Sequence, residues 1–457
     1  MLNDNNLTPA QRNLHFKLKK LISNGGGISN ILKVASENDL LKVLTIGYNT
    51  RFPRGGERTL TLLSLAIFKC NDECVNSILI HSQNNGTLQE IINTKNIINY
   101  QNCLMYNLTS LGFAIHHNKP RYINDILTKA QDSGILQDIL AARNIVQYFN
   151  TKEYALTPLS FSIYKGNKEC ISSILEKAQN NDMLQGVFIA EDIVTRSLSC
   201  LTYIFTPLSF AVDQNNEECF NAILTIAKNN GILQDILNNQ TYILTLLGLA
   251  IYRNSSENEY VNSILMQAQN SGTLQEVLVA KNIVYSPGGW AYSLTSLGFA
   301  IHEGNHSHIN SILTHAKNSG ILQEVLTAKN TLYSSDGWKY NLTPLGFAIY
   351  EGNHSHINSI LTHAKNSGIL QDILANHNAV ISPTRQTYNL TPLGFAIHKG
   401  NIECINSIIV QINDIPQYIY ATFQPTAAIN KRNARSALDD VSISPKRVRL
   451  QENSRTF

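Results

Sequence analysis

The stretch TPLGFAIYEGNHSHINSILTHAKNSGILQ, residues 343–371, occurs once before, at residues 295–323, with two substitutions: Ser296 stands for Pro344 and His302 for Tyr350. Looser copies begin at Thr61, Thr109, Thr157, Thr206, Thr245 and Thr391. The eight motif threonines are spaced 48, 48, 49, 39, 50, 48 and 48 residues apart. A regular period of this length is the signature of stacked repeats, whereas a catalytic site would not be copied eight times.

One repeat reads as a sequence of short elements. Thr343 before Pro344 marks a helix start: a hydroxyl that caps free N–H groups, then a residue whose missing N–H costs nothing in the first turn. Leu345, Ala348 and Ile349 form a brief apolar stripe, which Gly352 ends as a left-handed cap. Ile357, Ile360, Leu361 and Ala364 predict a second helix stopped at Gly368, and Ile369, Leu370, Ile373 and Leu374 a third, shorter one. One repeat earlier, Asp336-Gly337 lies between the aromatic residues of YSSDGWKYNL (333–342) and predicts a hairpin.

Composition narrows the function classes. Hydrophobic residues make up 43% of the 457 positions, ample for a core, and the repeat favours one elongated array over several domains. The net charge is +3, but the last 27 residues carry seven Lys/Arg against three acids. That +4 leaves about −1 for residues 1–430, so phosphate-backbone binding by the array itself is not expected. MLNDNNLTPAQ has no apolar segment of a secretory signal and no apolar run reaches the length of a membrane span, so a soluble protein not exported by the general secretory route is expected. Cys74, Cys170, Cys219 and Cys404 share one repeat position, too far apart for disulfides if neighbouring helices stack at about 8–10 Å. They read as small buried residues in a reducing compartment.

The pattern Thr-Pro-Leu-x-x-Ala-x-x-x-Gly, followed by an Ile-rich second helix and a finger, resembles the ankyrin repeat, whose usual period is shorter. Thr157-Pro158-Leu159, Thr206-Pro207-Leu208, Thr343-Pro344-Leu345 and Thr391-Pro392-Leu393 match its opening. The resemblance implies an all-α, ankyrin-like solenoid of eight to nine repeats with β-hairpin or loop fingers over residues 60–413. Residues 1–59 would supply an N-terminal helix and a degenerate capping repeat, and residues 414–457 a basic, disordered tail. Two departures stand out. The family's histidine after Thr-Pro-Leu is Ser64, Gly112, Ser160, Ser209, Gly248, Gly298, Gly346 or Gly394 here, which implies a lost bridge and a looser stack. The unit is longer by a third helix and a larger finger; the unit from Thr206 is expected to lack most of the finger, and that from Thr245 to carry an insertion near Ser255 and Ser256.

Two positions after the first helix's stripe vary while their neighbours stay fixed. They are Phe68/Lys69, His116/His117, Tyr164/Lys165, Asp213/Gln214, Tyr252/Arg253, His302/Glu303, Tyr350/Glu351 and His398/Lys399. In ankyrin repeats the corresponding pair faces the concave groove where partners are held, so by resemblance these are groove positions, free of packing constraint. Tyr and His suit contact surfaces, being amphipathic and losing little entropy when fixed. The plainer alternative is an exposed, polar-tolerant helix end.

Other signals are weaker. His306, His308 and His315, repeated as His354, His356 and His363, lack a fixed Asp or Cys to complete a ligand set and read as surface or half-buried histidines rather than a metal site. No H-E-x-x-H, C-x-x-C pair, phosphate loop or G-x-S-x-G occurs, so no enzyme activity and no cofactor are expected. Gly25-Gly26-Gly27 reads as a linker. In the tail, Lys446, Arg447 and Arg449, with Lys431, Arg432 and Arg435 upstream, resemble a nuclear-import signal; a plain solvated tail, or one for secretion or nucleic-acid contact, is the alternative. A monomer binding a protein partner is expected, with no small-molecule substrate and no membrane. The Asn, Ile, Lys and Tyr bias together with the repeats resembles ankyrin proteins of host-associated intracellular bacteria, which implies a protein resident in the source cytoplasm and delivered to a host cell. An endogenous scaffold and an enzyme with an unrecognised site remain the competing readings.

Overall fold

The computed structural model describes residues 7–413 apart from 52–55, 102–103, 149–150, 197–200, 238–243, 254–258 and 286–290. The basic tail, the insertion near Ser255 and Ser256, and part of the shortened finger after Thr206 lie outside the described residues.

A full unit builds an inner helix, an outer helix, a short third helix and a hairpin. In the unit opened by Thr343 these are Pro344–Glu351, His354–Asn366 and Leu370–Ala375, then the strands Asn378–Ile381 and Thr387–Leu390. The threonine hydroxyl accepts from the N–H three residues on, as from Gly346 at 3.0 Å. An asparagine caps the outer helix in the same way, Asn353 accepting from His356 at 3.3 Å. Gly352 takes the left-handed conformation (φ 70°) that ends the inner helix; where the motif has no glycine, Asn118 (φ 48°) and Asn215 (φ 53°) adopt it instead. Inner helices pack on inner helices through the whole array. Their apolar ladder, Phe113, Phe161, Phe210, Phe299, Phe347 and Phe395, is at most 1% exposed. Before the first full unit, Pro9–Ser23 packs on the inner helix Leu62–Phe68, and Ser29–Val34 on the outer helix Asp72–Asn84.

The all-α expectation is corrected by the fingers, which pair with one another. The strands β1 (Tyr48–Arg51), β2 (Glu57–Leu60), β3 (Asn96–Asn99), β4 (Leu104–Leu108), β5 (Asn144–Tyr148), β6 (Lys152–Leu156), β7 (Asp192–Arg196) and β8 (Leu201–Phe205) form one antiparallel sheet in sequence order. A second sheet holds β9 (Asn282–Tyr285), β10 (Ala291–Leu294), β11 (Asn330–Tyr333), β12 (Lys339–Leu342), β13 (Asn378–Ile381) and β14 (Thr387–Leu390). The physical reason is a match of spacings. Two strands occupy about 9.6 Å at about 4.8 Å each, and stacked helices sit about 8–10 Å apart, so a hairpin that follows each helix pair meets the next hairpin at bonding distance. Edge N–H and C=O groups are thereby paired instead of left open. The predicted turn is present: Gly337 (φ 83°) donates to the Ser334 carbonyl at 3.0 Å, between β11 and β12.

The expected loosening at the lost histidine is also corrected, because another side chain fills its place. Asn378, the first residue of β13, is fully buried. Its Oδ1 accepts from the Thr343 amide at 2.9 Å and the Thr343 hydroxyl at 3.1 Å. A Cβ on Gly346 would lie 2.0 Å from that oxygen. Asn144 stands likewise over Gly112, Asn282 over Gly248 and Asn330 over Gly298. Asn330 also donates from Nδ2 to the Leu342 carbonyl at 3.4 Å, so it joins the start of its own unit to the strand that opens the next. Thr206, in the shortened unit, donates its amide to Ser209 Oγ at 2.7 Å.

One unit uses a carboxyl instead. Asp192 accepts from the Thr157 amide at 2.6 Å and sits in short contact with the Ser160 hydroxyl. Burial pushes its pKa up to about 7, only partly opposed by the hydrogen bonds from Ser160 and Thr157. The folded chain therefore keeps a proton that the unfolded chain releases near its ordinary value of 3.8, and stability falls as pH rises between those two values, then levels off. Asp192→Asn creates the Ser/Asn combination already present at Ser64 and Asn96. Urea unfolding should show this variant more stable than the parent at about pH 8 and not at about pH 4.5; a difference independent of pH would contradict the assignment.

Candidate functional site

The variable pairs stand at the end of each inner helix, beside the hairpin that leads into that helix. Residue alternation brings one side chain of each second strand to this face, three positions before the motif threonine: Arg58, Tyr106, Tyr154, Tyr203, Tyr292, Tyr340 and Tyr388. Rings meet there. His116 lies 4.5 Å from Tyr106 between centroids, Tyr164 5.5 Å from Tyr154, His302 5.8 Å from Tyr292 and Tyr350 5.1 Å from Tyr340. The Arg58 guanidinium takes the tyrosine's place over Phe68 at 4.2 Å. The first member of these pairs is therefore half-buried and packed, not free of packing constraint. Tyr252, at 43% exposure, and His398 are the more open ones.

The second member of a pair reaches back to the first member of the unit before. His117 packs edge-on against Phe68 at 5.4 Å, Arg253 pairs with Asp213, Glu351 with His302 at 3.5 Å, and Lys399 lies 4.5 Å over the Tyr350 ring. Lys165 sits 5.5 Å from the centre of the Tyr106 ring, and Gln214 donates to Asp213 at 2.7 Å. Lys69 and Glu303 are exposed. Between residues 302 and 350 the exchange of histidine for tyrosine goes with a change of partner. His302 faces a carboxylate in the next unit, whereas Tyr350 faces an ammonium. Burial alone would lower the His302 pKa, but the contact and charge of Glu351 raise it above the ordinary value. His116, with Lys165 and His117 beside it and no carboxylate, is driven the other way by burial, to about 3, and is neutral at physiological pH.

Other predicted features take structural places. His308 and His356 are buried at the outer-helix position that Cys74, Cys170, Cys219 and Cys404 hold elsewhere, and burial lowers the pKa of both histidines. Those four cysteines are buried and unbridged. Among the described residues no three His, Cys, Asp or Glu side chains are grouped to hold a metal, and no helix is long and apolar enough to cross a membrane. An open depression of about 550 Å³ lies by the N-terminal helices. Its polar groups bond to one another, Gln11 and Ser36 each donating to Asp39 at 2.6 Å, which holds that carboxyl below its usual range. Sequence reading missed the buried asparagines and the finger tyrosines. The recurring distances of the asparagine and the tyrosine from the motif threonine, visible in most units, are the signals that could have found them.

No protein-family model and no curated protein matches the chain. Among solved structures it is similar to the ankyrin repeat domain of Bcl-3, a member of the IkappaB protein family, at 16% identity over 65% of this chain and 97% of that one, with a TM-score of 0.36. It is also similar to a circular tandem repeat protein of novel repeat topology and enhanced subunit contact surfaces, at 12% identity over 88% and 95%, with a TM-score of 0.26. The superhelix of this chain is defined by its own contacts.

Pairing between units is testable by exchange. Glu351→Lys alone should destabilise the array by about 1 kcal/mol, and adding His302→Tyr, which copies the Tyr350/Lys399 pair, should recover most of the loss in urea unfolding. Additive losses would show that the two positions do not communicate.

Proposed function

We propose that the chain is a non-enzymatic scaffold that holds a protein partner along the groove face formed by the inner-helix ends and the fingers. The observation that carries this reading is the ladder of paired positions, from Phe68/Lys69 to His398/Lys399, which changes chemistry from unit to unit beside a nearly fixed core. Aromatic rings held by their neighbours are already ordered, so contact with a partner costs them little further entropy. The ankyrin-like motif supports the same reading, by resemblance.

A finer reading is that the partner belongs to a host cell and that the chain, made in a bacterial cytoplasm, acts after delivery, with the cluster Lys446, Arg447 and Arg449 directing nuclear import. The sequence of the tail and the composition support it. The test uses the tagged full chain in animal cells. Capture from lysate should recover a partner that is lost when exposed pair members are charge-reversed (Lys69→Glu, Glu303→Lys, Lys399→Glu) with the circular dichroism unchanged. Equal capture would move the site off the groove face. The tag should be nuclear and turn cytoplasmic when the tail's basic residues are replaced; a cytoplasmic tag in both cases would sink the import reading.

A further inference from the structure

The last unit of the array leaves its stacking face open. Ile397, on the inner helix Pro392–His398, is 59% exposed, whereas the residue at the same position of every earlier unit, such as Ile301 or Ile349, is at most 2% exposed. Ile409, on the outer helix Ile402–Asn413, is exposed where Leu313, Leu361 and their equivalents are buried. The two helices pack against each other, so these side chains belong to one end surface. Ile402 (70% exposed) and Val410 (60%) enlarge the apolar area, Ile402 standing where other units carry Lys168, Glu217, His306 or His354. A terminal unit of a stacked array normally turns a polar face to water, because an open apolar end invites association. This one does the opposite.

The chain that follows differs from the other units at one decisive position. In every earlier unit the outer helix passes into the third helix through a residue of left-handed backbone, with φ from 55° at Asp182 to 76° at Gly272, and 72° at Gly320 and Gly368. The equivalent position of the last unit is Pro416. A proline ring fixes φ near about −65°, so the turn that leads into the third helix is closed to this unit. The stripe of that helix is gone as well, since buried Leu370, Ile373 and Leu374 correspond to Tyr418, Ala421 and Thr422. Yet the nine residues 415–423, IPQYIYATF, carry no charge and five large apolar side chains, whereas the next thirty-four carry only seven, scattered among charges. Such a segment is apolar enough to be buried, but not by the route the other units use.

We infer that residues 415–423 run across the end of the array and cover Ile397, Ile402 and Ile409, forming a cap in place of a third helix and finger. Nine extended residues span about 30 Å, against about 8–10 Å between packed helices, so the reach is sufficient. The segment is joined directly to the outer helix, and its effective concentration at the patch exceeds that of a second molecule. That tether favours the chain's own segment over a second copy stacked end to end. The cap keeps the array from associating through this end, and it fixes the point from which the basic tail departs.

Hydrogen exchange of the full chain, with its mass from light scattering, tests the cap. Amides in 417–423 should exchange about tenfold or more slower than those in 430–457. The variant Ile397→Asp/Ile409→Asp changes only side chains exposed in the described fold; it should lose that protection while the circular dichroism stays the same. The reciprocal variant Tyr418→Ser/Ile419→Ser/Phe423→Ser leaves both helices with their own sequence and should speed exchange in residues 405–411 by about tenfold. Exchange in 417–423 as fast as in 430–457 would overturn the inference, as would protection that survives Ile397→Asp/Ile409→Asp. A dimeric parent that becomes monomeric in that variant would also overturn it, by making a second copy the occupant. If the aspartate variant loses helix, the reciprocal variant decides alone, and unchanged exchange in 405–411 sinks the cap. The groove reading is untouched by any of these results.

Discussion

The array depends on one buried amide N–H. At the start of every inner helix but the last, the chain turns into the helix and the motif threonine is buried at the junction of two units. A donor in that position must be bonded or it destabilises the fold by about 1–3 kcal/mol. In five of the units an asparagine thirty-five or thirty-seven residues downstream supplies the acceptor, as Asn96 does for Thr61 and Asn282 for Thr245. The carboxamide needs the space of a side chain, and the inner helix yields it by having glycine or serine one turn in. Threonine, glycine and asparagine are therefore one device, and the Asp192/Ser160 unit is a variant in which a carboxyl takes the place of the carboxamide.

With that junction fixed, the rest of the unit follows. The asparagine opens the hairpin, so the clasp sets where the finger leaves the helices. Its position brings successive hairpins to the strand spacing, and the sheet runs on from unit to unit. The finger tyrosine then meets the last ring of the inner helix, and the following residue reaches back to the unit before. Further ladders run along the edges: Arg143 donates to the Glu191 carbonyl at 3.0 Å, and Gln89, Gln185 and Gln323 each donate to an aspartate in the next unit. A face built in this way can change its chemistry in matched pairs without disturbing the core, which is what a recognition surface requires.

Much of this was legible in the sequence because it is local. Thr343-Pro344, the stripe at Ile357, Ile360 and Leu361, and the turn at Asp336-Gly337 carry their signals within a few residues. The continuous sheet was not, since β4 pairs with β5, the first strand of the following unit's hairpin, and only the stacking decides whether the two meet. Gly346 was read as a missing histidine, because a glycine shows nothing of the Asn378 side chain that needs its space. The pair positions were read as unconstrained for a similar reason. Their partners lie forty or forty-nine residues away, and Tyr350 beside Glu351 suggests a local pair where the true contact is with Lys399.

The most direct test is amide hydrogen exchange resolved at the motif threonines. The account predicts that the amides of Thr61, Thr109, Thr157, Thr245, Thr295 and Thr343, which donate to a buried asparagine or aspartate, exchange only with global opening. Thr206, whose amide donates to Ser209 Oγ within its own first turn, should exchange faster. Equal protection at Thr206, or fast exchange at Thr295 and Thr343, would contradict the claim that the clasp between helix start and finger holds the units together.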